Sequence, residues 1–448
     1  MLPISARRLI AGVLCISISV AVTSCSPKET PKSEPALSST SPSSLQSTQS
    51  SAEPSSEQPS KFVTRLTKNG TGLVRNVPPS NFPPFTKPFD ESETFDIRWL
   101  NCPKYLDANQ LENLKAAVPY ISFNSDTVWP KGMPSGYDPS AIMETGKNPG
   151  LGVRALHSKG ITGKGVSIAI IDEALFTDHP EYKDNLALYE EIHVLPNGET
   201  SMHASAVSSI AVGKTCGVAP DAKLYYWGVN FEKEMDNNPQ DGSDAHVAFA
   251  DGLAVAIDRI LEVNADLPEN EKIRVLSISR GFDNLEDAGV QTFLKAVKRA
   301  QEAGIFVITT STYEYYDFMS RDTDFAGLGK KDITANPDNL STYTLGRFEQ
   351  ENPENFLNKL LLPMDGRTTA DPAGKTDYAF YYKFGLSWSV PYLAGLYALS
   401  AQVKADITPQ LFWKTAIDTS SQLTVTINNK QYTFKHVINP TKLIASLK

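Results

Sequence analysis

From residue 151 onward, short apolar runs alternate with longer stretches of helical period. The runs 166–172, 223–229, 273–279 and 305–311 are almost continuously apolar, the pattern of strands buried on both faces. Helices are expected over 203–212, 245–263, 287–303, 387–403 and 409–417. Strands that alternate with helices predict an α/β fold, a mostly parallel sheet with helices on both faces. Near the C-terminus Val425 and Ile427, then Tyr432 and Phe434, alternate across Asn428-Asn429, a hairpin signal. No internal repeat is evident.

The first 150 residues follow other patterns. Arg7 and Arg8 precede an apolar run, 9–22, that reads as a signal peptide and is too short to span a bilayer. The run closes on Val22-Thr23-Ser24-Cys25, which resembles a bacterial lipobox. That resemblance implies a leader of residues 1–24 and a lipidated Cys25, with the protein held on the outer face of a bacterial membrane. Two or more acyl chains anchor stably. Residues 25–61 are rich in Ser and Pro with almost no large apolar side chain, and are expected to be a disordered tether. A flexible chain of that length reaches about 30 Å. Residues 62–150 carry Pro-rich turns and one helix candidate, 108–118. They read as an irregular extension wrapped on the main domain, 151–448, or alternatively as a removable pro-segment.

Three polar residues end apolar elements. Asp172 closes the run V-S-I-A-I-I-D, His203 heads a helix of small residues, and Ser387 precedes the apolar stretch that continues through Leu399. A serine at a helix mouth has a free backbone N–H and a favourable dipole for a developing anion, although a plain N-cap reads the same way. Asp, His and Ser in this chain order match one of the known triad orders. The surrounding residues resemble the subtilisin-like serine peptidases (subtilases): G-K-G-V-S-I-A-I-I-D with His179-Pro180, then His203-Ala-Ser-Ala-Val with G-V-A-P-D-A-K-L, then G-L-S-W-S-V-P-Y-L-A-G.

The resemblance covers about residues 150–448 and implies a subtilisin-like fold. It also implies a catalytic triad, with Ser387 as nucleophile, His203 as base and Asp172 orienting the imidazole. Ser279-Arg280-Gly281 corresponds to extended backbone that pairs with the substrate as an added strand, or is a plain exit from a strand into a loop. Arg280 either favours acidic substrate residues or is simply solvated. The family's oxyanion asparagine is missing: Thr310, Thr312 and Tyr313 stand near its place, Tyr313 in the aligned position. Their hydroxyls are the candidate oxyanion donors, and Tyr313 could instead pack with Tyr315 and Tyr316. Further departures are Leu386 before the serine, Trp388 after it, and Glu173 beside Asp172.

Composition narrows the partners. With 42 Lys+Arg against 51 Asp+Glu the formal charge is -9, which argues against nucleic acid. Of four cysteines only Cys102 and Cys216 fall in the folded part, and buried free thiols are expected over a disulfide. No calcium loop, other metal site or cofactor motif is found. The expected protein is therefore a monomeric, lipid-anchored serine endopeptidase acting on peptides or proteins. The alternatives are a catalytically weak subtilase fold that binds peptides or cell-wall components, and an unrelated ligand-binding lipoprotein.

Overall fold

The computed structural model describes residues 95–192, 200–229, 243–282 and 288–448, with only the helical backbone for 243–249 and 288. The expected leader, Cys25, the tether and residues 62–94 of the extension lie outside the described residues. The described residues all fall within one unit, Phe62–Lys448.

The extension supplies β1 (Phe95–Asp96), α1 (Cys102–Tyr105), α2 (Ala108–Ala117), β2 (Ile121–Asn124) and α3 (Pro139–Lys147), and the main domain opens with α4 (Val153–His157). The central layer follows as β3 (Ser167–Asp172), β4 (Leu186–Ile192), α5 (Met202–Val212), β5 (Lys223–Val229), α6 (Ser243–Asp266), β6 (Ile273–Ile278), α7 (Ala288–Glu302) and β7 (Phe306–Ile308). Next come β8 (Phe325–Lys330), β9 (Tyr343–Leu345), β10 (Leu360–Pro363), β11 (Arg367–Ala370) and β12 (Tyr378–Tyr381). The chain closes with α8 (Ser389–Val403), α9 (Pro409–Asp418), β13 (Ser421–Ile427), β14 (Lys430–Val437) and α10 (Pro440–Leu447).

The central sheet has the order β4-β5-β3-β6-β7, and all its pairings are parallel. Its apolar runs feed two cores at once. Ile168 and Ile170 of β3 join the core built with α5 and α8, whereas Ala169 and Ile171 join the core built with α6 and α7. Side chains of a strand alternate between faces, so a run buried on both faces has no polar side to show. The mostly parallel sheet with helices on both faces is therefore as the apolar runs predict.

A second sheet, β13-β14-β10-β8-β9, is parallel inside and antiparallel at its edges. The hairpin between β13 and β14 turns at Asn428 and Asn429, with φ of 50° and 60°, values that asparagine tolerates. The third sheet, β1-β2-β12-β11, joins the extension to the main domain. There β2 pairs with β12, Phe123 opposite Phe380, over a core that includes Cys102, Leu114 and Tyr382. Cys102 and Cys216 are both buried free thiols. No described helix is long and apolar enough to cross a membrane.

Two expected elements are shorter than their apolar runs. The strand expected over 305–311 stops at Ile308 because hydroxyls take over the backbone. Thr309 N–H donates to Thr312 Oγ1 at 2.9 Å, and Ser311 N–H donates to Thr309 Oγ1 at 3.0 Å. Such local bonds compete with the sheet ladder. The helix expected from 387 starts at Ser389; Leu386–Trp388 form a separate 3₁₀ turn.

Candidate active site

Asp172 is fully buried at the carboxyl end of β3, the middle strand of the central sheet. His203 sits in the first turn of α5, whose N-cap Ser201 accepts the His203 N–H at 3.0 Å. The small residues of α5, Ala204 to Ala206, are buried and let the helix pack closely against α8. His203 Nδ1–H donates to Asp172 Oδ1 at 2.8 Å, the same oxygen that accepts Glu173 N–H at 2.9 Å. With its proton held on Nδ1, the neutral imidazole leaves Nε2 as a proton acceptor. Burial alone would lower the His203 pKa; the charge and hydrogen bond of Asp172, helped by Glu173, outweigh it and raise the net value above 6.5.

Ser387 occupies the 3₁₀ turn that leads into α8, and α5 packs against this turn. It is not the N-cap of α8, which begins two residues later and has no side-chain cap. The aromatic rings behind it close the distance to the histidine. Trp388 lies 5.5 Å from the His203 ring and stacks on Phe384 at 3.8 Å. Ser387 Oγ donates to the carbonyl of Ser279 at 3.3 Å, and Ser279 Oγ donates to the carbonyl of Ser387 at 2.9 Å. No hydrogen bond joins Ser387 to His203 among the described residues. The Ser387 hydroxyl proton is directed to the Ser279 carbonyl and not to the imidazole.

The segment Ser279-Arg280-Gly281 follows β6 past Ser387 and is not extended throughout: Arg280 N–H donates to the Ile278 carbonyl at 2.8 Å, a tight turn at Ser279. The Arg280 carbonyl accepts from Thr310 N–H at 2.9 Å. A Cβ at Gly281 would collide with Thr310 Oγ1 and Ser311 Oγ, so a larger residue there would force both hydroxyls to move. Arg280 pairs with Glu173 at 2.9 Å rather than being simply solvated. Glu173 also accepts from Ser201 Oγ, and Tyr226 OH donates to its carbonyl at 2.5 Å. Glu173 thus links β3, the cap of the histidine helix and the segment after β6.

The three candidate oxyanion hydroxyls separate clearly. Thr312 is fully buried and its hydroxyl proton is directed to the Thr309 carbonyl at 2.7 Å. Tyr313 is half-buried against the core beside α8; burial, followed by a hydrogen bond with Glu314, pushes its phenol up to about 12. It does not stack with its neighbours: Tyr315 meets Phe293, and Tyr316 meets Phe306 and Phe318. Thr310 and Ser311 present their hydroxyls at Gly281. Sequence reasoning passed over Ser311 and Ser201; the second was visible as a serine two residues ahead of a helical histidine, the N-cap pattern.

The remaining histidines are engaged elsewhere or not described. His157 Nε2 meets the Val218 carbonyl, His179 Nε2 meets the Asp377 carbonyl, and His436 Nδ1 meets Ser420 Oγ, each at 2.8 Å. His193 and the side chain of His246 lie outside the described residues. Among the described residues no group of three or more His, Cys, Asp or Glu is placed to hold a metal ion.

Residues 163–317, which include Asp172 and His203, match the family model described as the subtilase family. This segment is similar to the subtilases. The chain is 26% identical over 159 residues to the minor extracellular protease Vpr of Bacillus subtilis (strain 168), covering 30% of this chain and 20% of that protein. It is 23% identical over 283 residues to the subtilisin-like protease PopC of Myxococcus xanthus (strain DK1622), covering 57% of this chain and 56% of that one. The chain thus spans a fifth of one relative and just over half of the other. Among solved structures it is similar to the prenylagaramide maturation protease PagA, with TM-score 0.44 at 17% identity over 66% of this chain and 99% of that one. It is also similar to the serine protease MycP1 of a type VII secretion system, with TM-score 0.45 at 17% identity over 69% and 91%.

Proposed function

We propose that the protein is a serine endopeptidase that cuts peptides or proteins through an acyl-enzyme, using Asp172, His203 and Ser387. The observation that carries this reading is the buried Asp172–His203 hydrogen bond at the carboxyl edge of a parallel sheet, with the Ser387 turn packed against the histidine helix. In the proposed reaction Ser387 Oγ leaves the Ser279 carbonyl and gives its proton to His203 Nε2 as it attacks the peptide carbonyl. His203 returns that proton to the leaving amine, and a water repeats the sequence to release the acyl group. Asp172 keeps the imidazole in one tautomer and stabilises it when charged. The Ser387 N–H and a hydroxyl from Thr310 or Ser311 face the developing oxyanion; Tyr313 is the remaining candidate, Thr312 the least free. The substrate backbone lies along Ser279-Arg280-Gly281 as an added strand.

A second reading, a peptide-binding subtilase of low turnover, is favoured by the Ser387–Ser279 hydrogen bond and by the missing asparagine. One experiment separates the two. A fluorophosphonate probe should label Ser387, and Ser387→Ala should abolish both labelling and casein cleavage with the melting temperature unchanged. Absent labelling of the folded wild type would leave the binding reading.

For location we propose lipid anchoring through Cys25 on the outer face of a bacterial membrane, with the chain acting as a monomer. The word extracellular in the name of the Bacillus relative accords with an exported protease. Cys25→Ser should release the protein from the membrane fraction or stall its maturation; unchanged retention and mobility would count against the lipobox.

A further inference from the structure

The side chains of Lys330 and Arg367 are two buried cations with unmet donors. Lys330 ends β8 and is 3% exposed; Arg367 opens β11 and is 2% exposed. They share one locality. The Lys330 stem lies against Gly366, its Cδ 3.0 Å from where a Cβ there would be, and Gly366 immediately precedes Arg367. The Arg367 guanidinium sits over the ring of Tyr392, 5.4 Å from its centroid, and Tyr392 is wholly buried in α8. Tyr343, the cross-strand partner of Lys330, closes another side, and its hydroxyl is spent on the Pro337 carbonyl at 2.8 Å.

The donors outnumber the acceptors. Arg367 makes one bond, from Nη2 to the Cys216 carbonyl at 3.3 Å. Lys330 Nζ, Arg367 Nε and Nη1, and Tyr392 OH are buried with no partner among the described residues. Among the described residues no carboxylate forms an ion pair with either cation. The acids nearest Lys330 in charge, Asp338 and Asp332, are exposed and bond to other groups: Asp338 to Asn148 and Gly152, Asp332 to Thr334. Tyr343 and Cys216 are the remaining titratable groups facing Arg367.

A buried charge without a counter-charge is strongly unfavourable, and each buried donor without an acceptor adds a smaller cost. Lysine can escape by losing its proton: burial, followed by the Arg367 charge, pushes the Lys330 ammonium down to about 7. Arginine has no such escape, because its guanidinium stays protonated. A single negative charge between the two would balance Arg367 and supply the acceptor that four donors lack.

We propose that Lys330, Arg367 and Tyr392 form a buried binding site for one small monovalent anion of the halide class. The enclosure selects size, since side chains 0–3% exposed admit no ligand with a tail. It also selects charge, because the cost of desolvating an ion rises steeply with its charge and disfavours phosphate or sulfate. The site lies between β8, β11 and α8, apart from the Asp172–His203 pair, and does not rest on the peptidase reading. Its role is structural: it ties the second sheet to the third and to α8.

The test is a melting series on the full chain at constant ionic strength, with sodium bromide exchanged for sodium isethionate, whose anion is too large to enter. The melting temperature should rise saturably with bromide and not with isethionate. Lys330→Met should abolish the dependence. Tyr392→Phe, which keeps the packing and removes one donor to a charged partner, should raise the half-saturating bromide concentration about tenfold. Should Lys330→Met not fold, Tyr392→Phe decides alone. Anomalous scattering from bromide-soaked crystals should peak between Lys330 Nζ and the Arg367 guanidinium. Equal response to both salts, an unshifted bromide curve in Tyr392→Phe, or no peak at that position would each overturn the site.

Discussion

Ser279 and Ser387 hold each other by two hydrogen bonds of opposite sense, hydroxyl to carbonyl in both directions. One bond fixes the turn that carries the proposed nucleophile. The other occupies the nucleophile's own proton and must break before attack. Ser279→Ala removes only the first. It should cost about 1 kcal/mol of stability and slow fluorophosphonate labelling of Ser387. A melting curve and a labelling time course check both, and an unchanged labelling rate would show that the turn needs no such support.

The histidine sets the acid limit of the proposed activity. Because the His203 pKa is raised above 6.5, activity should be lost as pH falls through a value higher than that. Stability runs the other way. A raised histidine contributes stability that is fully present below its unfolded value and is lost as pH rises through its folded value. Across this window activity should therefore climb while the histidine's share of stability declines. Asp172→Asn should lower the midpoint and cut turnover by about 10⁴, as in other serine triads. A pH profile of peptide cleavage reads both effects.

Glu173 and Arg280 act on His203 with opposite signs, the carboxylate raising its pKa and the guanidinium lowering it. Glu173→Gln should therefore shift the acid limb of the rate profile to lower pH, and Arg280→Met should shift it to higher pH. Shifts in the same direction would mean that the ion pair acts by positioning the backbone and not through charge.

The oxyanion donor can be assigned by turnover at constant Michaelis constant, since the bond matters mainly in the transition state. Thr310 and Ser311 present hydroxyls at Gly281, whereas Tyr313 is drawn to Glu314. Thr310→Val or Ser311→Ala should lower turnover, by up to the 10²–10³ that loss of one oxyanion donor costs a subtilisin. Tyr313→Phe should change it by less than about threefold, a difference of under about 1 kcal/mol in the barrier. A large loss in Tyr313→Phe alone would return the role to the phenol.

Alkaline stability depends on buried acids beyond the site. Burial first, then the neighbouring Asp365 charge, pushes the Glu349 carboxyl from 4.5 up to about 8. Burial similarly pushes Asp324 up to about 7. Groups raised in this way stabilise the fold at low pH and lose that contribution as pH rises through the folded value. The melting temperature should fall between about pH 4.5 and 8, and Glu349→Gln should flatten the upper part of that slope. A flat wild-type curve would show that these carboxyls titrate normally.

What could be read from the chain was what periodicity and short-range chemistry encode. The strand 223–229 and the hairpin at Asn428-Asn429 stand where their residues imply. So does the Asp172–His203 pair, because each residue closes or opens an element at the same edge of a parallel sheet. Other features depend on contacts between distant segments. Nothing near Glu173 announces that its carboxylate meets Arg280, 107 positions away. The early end of β7 comes from hydroxyls that bond their own turn, which an apolar count cannot register. The turn at Leu386–Trp388 escaped notice for a related reason: 3₁₀ and α-helix share the same apolar faces over so few residues.

The pairing of β2 with β12 also limits how this chain can be trimmed. β12 ends at Tyr381, whose ring meets Trp388 at 5.4 Å, and Trp388 adjoins both Ser387 and the His203 ring. From the other side Arg98 donates to Tyr381 OH at 2.7 Å. A cut that discarded residues 95–124 would strip the partner from β12, uncover Phe380 and Tyr382, and leave the aromatic wall of the histidine unsupported. A cut before Phe95 would leave these contacts whole, so the wall beside His203 is built from both ends of the described chain at once.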